Sequence, residues 1–353
     1  MKILVINPGG TSTKIAVFDG EKKIFKKSIK HTAEDLKEFK TVFDEYEYRK
    51  KLILDSINEG NISVDSLNCV VGRGGLMKPI EGGVYRVNKR MLEDLKNAIN
   101  GEHASNLGAI LAKNIADDIN VPSFVVDPVS VDEFQDISRI TGLSDIEKAS
   151  WLHSLNHKAV CRKIAEKMGG RYEDFNFIAA HLGSGISVVV HNKGRMIDGS
   201  GGRSDGPFSP ERSGGLLVYP LIKLCYSGKY TCKEMVAKVS TIGGMYDYLG
   251  TKDIMKIEEM IEKGHRKAKL VMDAFIYQIA KEISMYGASL YGEIDKIILT
   301  GGIANSKMVT GGVQKRVEYL APVEIAPGEM EMEALALGAM RALKGEEVVK
   351  EYL

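Results

Sequence analysis

The sequence has few of the features that mark secreted, membrane-spanning or zinc-binding proteins. Its four cysteines include no Cys-x-x-Cys pair, which argues against a disulfide framework or a zinc cluster and favours reduced thiols. No apolar run approaches the roughly 18 residues of a membrane span. The short run Ile3–Ile6 at the start predicts a strand rather than a signal peptide. We therefore expect a cytoplasmic protein.

An excess of charge of one sign is also missing. Lys and Arg together number 48 and Asp and Glu 47, so the formal net charge is +1. This balance gives no reason to expect a nucleic acid or an anionic membrane as a partner. What the chain does have is length: 353 residues exceed one typical hydrophobic core and predict two domains.

Two glycine-rich turns occur in matching settings, far apart along the chain. Asn7–Lys14 lies between the apolar runs Ile3–Ile6 and Ile15–Phe18, and His181–Gly185 also lies between two apolar runs. Each pattern predicts strand, turn and strand. Glycine and hydroxyl residues in such a turn allow backbone N–H groups to approach a phosphate, because no Cβ intervenes. The repetition predicts a duplicated phosphate-binding fold with a nucleotide between its halves.

Two common nucleotide-binding folds are excluded by what these turns lack. The segment Gly9–Lys14 does not have the spacing of a P-loop, and it leads into a strand rather than a helix. Neither turn contains the Gly-x-Gly-x-x-Gly pattern that opens a helix in Rossmann domains. Since strands and helices are mixed along the chain, we expect an α/β fold of another kind.

The remaining periodicity predicts a coarse order of elements. A Gly-, Ser- and Pro-rich stretch at 198–215 predicts a functional loop. Further strands are predicted at 22–30, 67–71, 123–127 and 296–300, and helices at 33–58, 89–100, 105–118, 144–168, 254–291 and 334–343.

Four segments in order along the chain resemble the signatures of butyrate kinases: Asn7–Lys14, Ala180–Ser187, Gly206–Gly214 and Thr300–Asn305. Butyrate kinases belong with acetate kinase in the acetokinase family. The resemblance extends over the whole chain and implies an α/β fold of two duplicated actin-like (ribonuclease-H-like) domains around a nucleotide cleft. It places the acid substrate in residues 1–155, joined by a returning C-terminal helix in 331–353, and the nucleotide in residues 156–330.

The same resemblance implies the reaction and its partners. It implies reversible, ATP-dependent phosphorylation of butyrate or isobutyrate to the acyl phosphate and ADP, with ATP/ADP and Mg²⁺ as cofactors, in a homo-oligomer. The form Pro-Gly-x-Thr-Ser-Thr at residues 8–13, instead of the Asn-x-Gly-Ser-Ser-Ser typical of acetate kinases, favours butyrate or a branched acid. Two alternatives stay open: an acetate or propionate kinase, and an actin-like nucleotide-gated binding module.

The chemistry of this reaction indicates which residues to look for. A carboxylic acid with a pKa of roughly 4 is already ionised at neutral pH, so no strong general base is needed. Two anions must be brought together, so cations, a metal and directed N–H groups are expected to dominate.

Four residues are candidates for the reacting centre. Arg73 stands between glycines after a predicted strand and suits a carboxylate or phosphoryl ligand; a surface salt bridge is the alternative. The resemblance implies that Arg212 is the second active-site arginine and that His153 contacts the phosphoryl group in flight. It also implies that Asp127 is the active-site aspartate, for which we prefer a positioning role to that of a general base.

The remaining candidates would hold the nucleotide and the metal. Of these, His181 has a core or capping role as its alternative, and Lys14 could be the exposed end of a strand. The metal positions implied by the resemblance are Asn7 and Glu333, with Glu329 and Glu331 as neighbours that could replace Glu333. The nucleotide positions are Gly9, Gly10, Thr11, Ser12, Lys14, His181, Gly183, Ser184, Gly185, Gly301, Gly302 and Asn305.

Overall fold

The computed structural model describes residues 1–201 and 205–353 and divides into two compact units. Unit 1 comprises Met1–Asp132 and Met330–Leu353, and unit 2 comprises Glu133–Glu329. The predicted loop at 198–215 includes residues 202–204, which lie outside the described residues. Its first residues, 198–200, belong to a strand.

The elements follow one another in the order expected of an α/β protein. In residues 1–132 they are β1 Lys2–Pro8, β2 Ser12–Asp19, β3 Lys22–Lys30, α1 Ala33–Leu36, α2 Tyr46–Glu59, β4 Cys69–Gly72, β5 Val84–Arg86, α3 Lys89–Lys96, α4 Asn106–Asp118 and β6 Ser123–Val126. In residues 133–329 they are α5 Asp136–Arg139, α6 Ser154–Lys167, β7 Asn176–Leu182, β8 Ile186–Asn192, β9 Arg195–Ser200, α7 Val218–Cys225, α8 Cys232–Ser240, α9 Gly244–Leu249, α10 Ile254–Glu262, α11 Arg266–Tyr286, β10 Lys296–Gly301, α12 Lys307–Val317 and β11 Val323–Pro327. The chain ends with α13 Glu331–Lys344 and β12 Val349–Lys350.

Each unit is built on the same arrangement of five strands. In unit 1, β1 pairs antiparallel with β2 and β2 with β3, while β1, β4 and β6 run parallel. In unit 2, β7 pairs antiparallel with β8 and β8 with β9, while β7, β10 and β11 run parallel. Within the described ranges the full strand orders are β12-β5-β6-β4-β1-β2-β3 and β11-β10-β7-β8-β9. The two units therefore share one strand topology, which is the duplication that the two glycine turns predicted.

Glycines allow helices to lie close to the sheet of unit 1. A Cβ on Gly72, the last residue of β4, would come within 2.0 Å of the carbonyl oxygen of Gly108 in α4, and one on Gly108 within 2.0 Å of the carbonyl oxygen of Arg73. In α13, a Cβ on Gly338 would lie 2.6 Å from a methyl group of Val126. The small residues thus allow the N-terminal part of α4 and the middle of α13 to lie close to the ends of β4 and β6.

Three predicted helices are shorter or more interrupted than their patterns indicate. The pattern at 254–291 forms two helices, because Gly264 between them has a left-handed φ of +84°, which only glycine adopts readily. The stretch 33–58 contains α1, a short 3-10 helix and α2. The helix predicted from 144 begins only at Ser154.

Residues 133–153, which precede α6, belong to unit 2. The boundary between the two compact units therefore lies between residues 132 and 133, whereas the sequence predicted a domain boundary between 155 and 156. The carboxylate of Glu133 accepts a hydrogen bond from Lys158 Nζ at 3.0 Å and one from the Met196 amide at 2.8 Å. The amide of Gln135 donates to the carbonyl oxygen of Ile197 at 3.0 Å. These contacts tie the segment to α6 and β9, and periodicity alone carries no information about them.

All four cysteines are described, and all are free: Cys69 and Cys161 are buried, and Cys225 and Cys232 are exposed. Burial raises the pKa of the Cys69 thiol to about 12, so this thiol stays protonated at neutral pH. In the part of the chain that the structure describes, no helix has both the length and the apolar character needed to cross a membrane.

Candidate active site

Three of the predicted residues lie at one edge of the sheet in unit 1. Asn7, Arg73 and Asp127 lie at or just after the ends of β1, β4 and β6, which are adjacent parallel strands. The Arg73 amide donates to the carbonyl oxygen of Ile6 at 2.9 Å, so β4 places this arginine beside β1. The carboxyl ends of parallel strands are where open α/β sheets bind ligands.

Asn7 and Arg73 are joined through a carboxylate from α13. Asn7 Nδ2 donates to Glu331 Oε2 at 2.8 Å, and Arg73 Nη1 lies 3.0 Å from Glu331 Oε1. Arg73 Nη1 also donates to Asn7 Oδ1 at 3.3 Å. Because Glu331 is in the first turn of α13, its charge is favoured by the positive end of the helix. The arrangement presents a cation and amide and carboxylate oxygens at one place.

The neighbouring acid Glu333, which the sequence predicted at the metal, makes a different contact. Its Oε1 lies 2.7 Å from Lys23 Nζ on β3. Burial acts to raise the pKa of the Glu333 carboxyl, but the hydrogen bond and charge of Lys23 hold it below its ordinary value. The structure therefore brings Glu331, rather than Glu333, to Asn7. The third acid, Glu329, lies in unit 2 and is 3.8 Å from His181 Nε2.

Asp127 is held in an unusual backbone conformation. It has a positive φ of 38° and is only 1% exposed. Its Oδ1 accepts from the Gly83 amide at 2.7 Å, and its own amide donates to the Gly83 carbonyl oxygen at 3.0 Å. Such strained, over-determined residues cluster at functional sites. A carboxylate that already accepts a backbone hydrogen bond suits positioning better than proton transfer.

The first glycine turn joins β1 and β2 and is open to solvent. The Gly9 amide donates to the Ser12 carbonyl oxygen at 2.7 Å, while Gly10 and Thr11 are exposed. Among the described residues, no atom lies within 4 Å of where a Cβ on Gly10 would stand. Lys14 is exposed and lies opposite Asn7 in the β1–β2 register.

Beneath this turn lies a buried arginine that the sequence analysis did not identify. Arg49 is 1% exposed, and its Nη1 donates to the Gly9 carbonyl oxygen at 3.0 Å and to Thr13 Oγ1 at 2.8 Å. Its Nε donates to Glu45 Oε2 at 2.7 Å. Thr13 Oγ1 also lies 2.8 Å from His31 Nε2. This network holds the inner side of the turn and leaves its outer side to solvent.

The second glycine turn, in unit 2, carries Arg212 against it. The Gly183 amide donates to the Gly185 carbonyl oxygen at 3.1 Å, which closes the turn. Ser209 donates from its hydroxyl to the Ser184 carbonyl oxygen and accepts from the Arg212 amide. A Cβ on Gly185 would lie 2.7 Å from Arg212 Nη1. The absent side chain at position 185 therefore leaves room for the guanidinium.

The third predicted glycine segment meets the second turn at the end of β7. Gly301 has a φ of +90°, and a Cβ there would lie 2.4 Å from the Leu182 carbonyl oxygen. Gly302 begins a short 3-10 helix, in which Asn305 Nδ2 donates to the Gly302 carbonyl oxygen at 2.9 Å. The structure thus brings the residues around 183 and 302 together.

These two segments line a cavity of about 610 Å³, a size within the usual range for small-molecule sites. Backbone from both glycine segments faces it, together with one cation and three carboxylates. Its lining residues are Gly183, Ser184, Pro210, Glu211, Lys252, Asp253, Ile254, Gly302, Ile303 and Glu329.

Histidines from α6, its N-cap and β7 form a cluster next to the second turn. The rings of His153 and His181 stack with centroids 4.1 Å apart. His181 is 3% exposed, and its Nδ1 lies 2.9 Å from Asn156 Nδ2. His153 Nδ1 and His157 Nε2 lie 2.8 Å and 2.7 Å from the hydroxyl oxygen of Ser187. His181 is therefore buried, as a core residue would be, and it also lies beside the turn that is predicted to bind phosphate.

Several residues of these networks were missed by sequence reasoning. Glu45 and Arg49 are four apart, which is the spacing of a helical ion pair, but nothing in the sequence indicates that the pair is buried. Ser187 faces His181 across the β7–β8 register, and alternation would have placed both on one face of the sheet. For Glu331, the sequence predicts only that it is a neighbour of Glu333 that could replace it.

The oxygen atoms at the strand ends of unit 1 suit Mg²⁺, which keeps most of its waters, better than a metal ion that is ligated by protein alone. Among the described residues, no group of three or more His, Cys, Asp or Glu side chains could hold a metal ion. Mg²⁺ usually takes one or two protein oxygens and keeps several waters. The side-chain oxygens of Asn7 and Glu331 meet that requirement.

Comparison with solved structures shows the fold. The structure is similar to the acetate kinase of Porphyromonas gingivalis (17% identity, TM-score 0.81, covering 97% of this chain and 99% of that one). It is also similar to the acetate kinase of Entamoeba histolytica (18%, 0.75, 96% and 99%) and to a propionate kinase from Francisella tularensis subsp. tularensis SCHU S4 (19%, 0.71, 95% and 98%). The predicted α/β fold of two actin-like domains is confirmed.

A sequence model identifies the family. The model of the acetokinase family matches residues 149–333, which is more than half of the chain. The match applies to the family as a whole and does not distinguish one short-chain acid from another. The chain belongs to the acetokinase family and is a kinase of short-chain carboxylates.

Proposed function

We propose that this protein catalyses the reversible, Mg²⁺-dependent transfer of the γ-phosphoryl group of ATP to butyrate or isobutyrate. A carboxylate oxygen of the acid attacks the γ-phosphorus, the bond to the β–γ bridging oxygen breaks, and ADP leaves with the bridging oxygen. The acid is already ionised, so no proton has to be removed. The products are the acyl phosphate and ADP.

The observation that carries this proposal is the position of Arg212 against the second glycine turn. Its guanidinium lies where Gly185 leaves room for it, and the same turn lines the cavity of about 610 Å³. A cation beside a glycine turn suits the charge that develops on a phosphoryl group in transfer. His153 and His181, stacked beside this turn, would add further hydrogen-bond donors to phosphate oxygens.

We assign the nucleotide to unit 2 and the acid to unit 1. Gly183, Ser184, Gly302 and Glu329 support the first assignment, since they line the cavity. The nearby Gly301 and Asn305 would support the shape of the segment. In unit 1, the outward-facing turn of Gly9, Gly10, Thr11 and Ser12 would present N–H groups to phosphate oxygens, and Lys14 would add positive charge.

In unit 1, Arg73 would bind the carboxylate of the acid or the transferring group, since its guanidinium lies at the strand edge. Asp127 would order this edge through its hydrogen bonds with Gly83. Asn7 and Glu331 would hold Mg²⁺, with Glu333 further along the helix. When bound, Mg²⁺ supplies charge neutralisation for the phosphate oxygens.

Preference for butyrate over acetate depends on burial of two more methylene groups. Each contributes about 0.8 kcal/mol when buried, which supports discrimination on the order of tens-fold. The form Pro8-Gly9-Gly10-Thr11-Ser12-Thr13 is what favours the longer or branched acid over acetate or propionate.

The deciding experiment is an ATP assay with hydroxylamine trapping, in which acyl phosphates are converted to hydroxamates. Acetate, propionate, butyrate, isobutyrate and valerate are compared at equal concentrations, each with and without Mg²⁺. We expect the highest kcat/KM for butyrate or isobutyrate. Highest activity with acetate or propionate would overturn the assignment of the acid. ATP hydrolysis with no hydroxamate from any acid would overturn the kinase itself and favour a nucleotide-gated binding module.

We also propose that the protein works as a homo-oligomer in the cytoplasm. Support comes from α7 and the residues beside it, where large apolar side chains are exposed. Leu217, Val218, Tyr219 and Tyr226 are each between 68% and 89% exposed. Contiguous exposed apolar surface often marks a protein–protein interface. Sedimentation velocity of the purified protein tests this; a monomer at micromolar concentration would contradict it.

A further inference from the structure

Ser187 connects two histidines that lie one helical turn apart. Its hydroxyl oxygen is 2.8 Å from His153 Nδ1 and 2.7 Å from His157 Nε2. His153 is the N-cap of α6 and His157 lies in its first turn, so both rings reach the same point on β8. A serine hydroxyl has one proton to donate and accepts others. Among the described residues these two nitrogens are the only hydrogen-bond partners of the Ser187 hydroxyl, so accepting from both would leave its own buried proton without an acceptor. It therefore donates to one of these rings and accepts from the other.

The burial of His157 determines which direction is favoured. Both His157 and Ser187 are 0% exposed. Burial, reinforced by the neighbouring His191, lowers the pKa of His157 well below its ordinary value, so the ring is neutral and carries one proton. Its other nitrogen, Nδ1, has no hydrogen-bond partner among the described residues.

A buried N–H without an acceptor is rarer in folded proteins than an acceptor without a donor. The proton of His157 is therefore favoured on Nε2, from which it donates to the Ser187 hydroxyl oxygen. The Ser187 proton then has His153 Nδ1 as its acceptor. A neutral imidazole that accepts at Nδ1 carries its own proton on Nε2.

We propose that Ser187 and His157 act as positioning residues that hold His153 in its Nε2–H tautomer, as a hydrogen-bond donor toward an anionic phosphoryl oxygen. This inference rests on the proposed function for its purpose, but the tautomer itself is a property of the resting protein. The stack of His153 on His181, with centroids 4.1 Å apart and planes 14° from parallel, fixes the remaining orientation of the ring.

The first test is ¹⁵N NMR of protein labelled at histidine, without substrate, at pH 8. Protonated and bare ring nitrogens have well-separated resonances, and comparison with a His153→Gln variant assigns the signals of His153. We expect Nε2 protonated and Nδ1 bare in the wild-type protein. A protonated Nδ1 on His153 would overturn the proposal, whether or not the enzyme is active.

Variants test whether Ser187 sets this state. Ser187→Ala should produce a mixture of the two His153 tautomers. The matched control is Ser154→Ala: Ser154 is also buried, at 1% exposed, and its hydroxyl has no hydrogen-bond partner in the described part of the chain. The control should leave the His153 signals unchanged. An unchanged wild-type tautomer in Ser187→Ala would remove Ser187 from the role.

His157 allows a second comparison in case the serine variant is unstable. The terminal amide of His157→Gln can still donate to the Ser187 hydroxyl and should keep the His153 tautomer. His157→Phe has no donor and should lose it. If both variants give the same tautomer population, His157 does not set the direction of the two hydrogen bonds through Ser187.

Kinetics separate the positioning role from a structural one. Ser187→Ala should lower kcat about 10- to 100-fold, since part of the hydrogen-bond donation to the phosphoryl group is lost, with KM for the acid nearly unchanged. Ser154→Ala should keep kcat within about twofold of wild type. A Ser187→Ala enzyme with wild-type kcat but a mixed tautomer would show that the tautomer has no catalytic use. Absence of activity in the wild type would instead contradict the proposed function and leave the NMR result standing.

Discussion

The guanidinium of Arg212 lies against Gly185, so closely that a Cβ at position 185 would be 2.7 Å from Nη1 and 3.0 Å from Cζ. The glycine is therefore needed by a neighbour 27 positions later in the chain, in addition to any need of the turn itself. This relation gives the second glycine turn two roles in the proposed mechanism: backbone N–H groups for phosphate, and space for the cation.

Gly185→Ala should displace Arg212 and leave the fold intact, because the obstructing atoms are the end of a flexible side chain. We expect kcat to fall about 100-fold, comparable to the loss of one charge-stabilising donor. The measurement is steady-state kinetics with the preferred acid, together with a thermal melt. Gly311→Ala is the control, since its Cβ meets no atom within 4 Å among the described residues. Similar kinetics for the two variants would show that Arg212 does not need this space.

Glu331→Gln should impair the enzyme far more than Glu333→Gln. The first variant removes the charge paired with Arg73 and Asn7, and the second removes only a half-exposed contact with Lys23. For Glu331→Gln we expect activity to fall about 100-fold and the Mg²⁺ concentration at half-maximal activity to rise. Titration of activity with Mg²⁺ measures both. The opposite ranking would return the metal position to Glu333.

Arg49→Ala should destabilise unit 1 by about 3 kcal/mol, because it leaves the buried Glu45 without its partner. It also removes the donors to Gly9 and Thr13, so KM for ATP should rise. Urea unfolding gives the free energy. The comparison is Lys27→Ala, which breaks the exposed Lys27–Glu59 pair and should cost less than about 1 kcal/mol. Equal costs would mean that burial of Arg49 contributes nothing.

Lowering the pH should destabilise the protein partly through His31. Burial, followed by the charge of Arg49, lowers the pKa of His31 to about 4, whereas in the unfolded chain the pKa is about 6.5. Between these two pKa values the unfolded state therefore binds more protons than the folded state. The contribution of His31 to the free energy of unfolding is fully present above about pH 6.5 and is lost as the pH falls toward 4.

This histidine should contribute about 1–2 kcal/mol to the difference in unfolding free energy between pH 7 and pH 5. The test is urea unfolding at both pH values for wild type and for His31→Gln, whose amide can still donate to Thr13. The variant should show the smaller difference. An identical pH dependence would indicate that His31 titrates normally in the folded protein.

Much of the fold could be predicted because it depends on local patterns. The sequence predicts the strands around both glycine turns to within three residues, since apolar runs and Gly-rich turns are adjacent in the chain. The helix at 254–291 was predicted without its break, although Gly264 was a visible signal. The boundary near 132 could not be predicted, because it depends on contacts of Glu133 with residues far along the chain.

The candidate site likewise contains some residues that the sequence predicts and others that it does not. Its glycines, Arg73, Asp127 and Arg212 are recognisable from residue type, spacing and family resemblance. Arg49 and Ser187 are not, since their importance lies in burial and in the partners they reach.

By itself, the sequence determined that two strand–turn–strand units recur and that the chain belongs to the acetokinase family. It predicted, in addition, that the two turns bind phosphate. Only the tertiary structure decided which acid meets Asn7, because Glu331 is 324 positions away and differs from Glu333 only in the direction its side chain takes from the helix. Only the structure showed that Arg49 lies under one turn and that Arg212 lies against the other. Local patterns follow from backbone geometry, whereas such contacts follow from how helices and sheets pack.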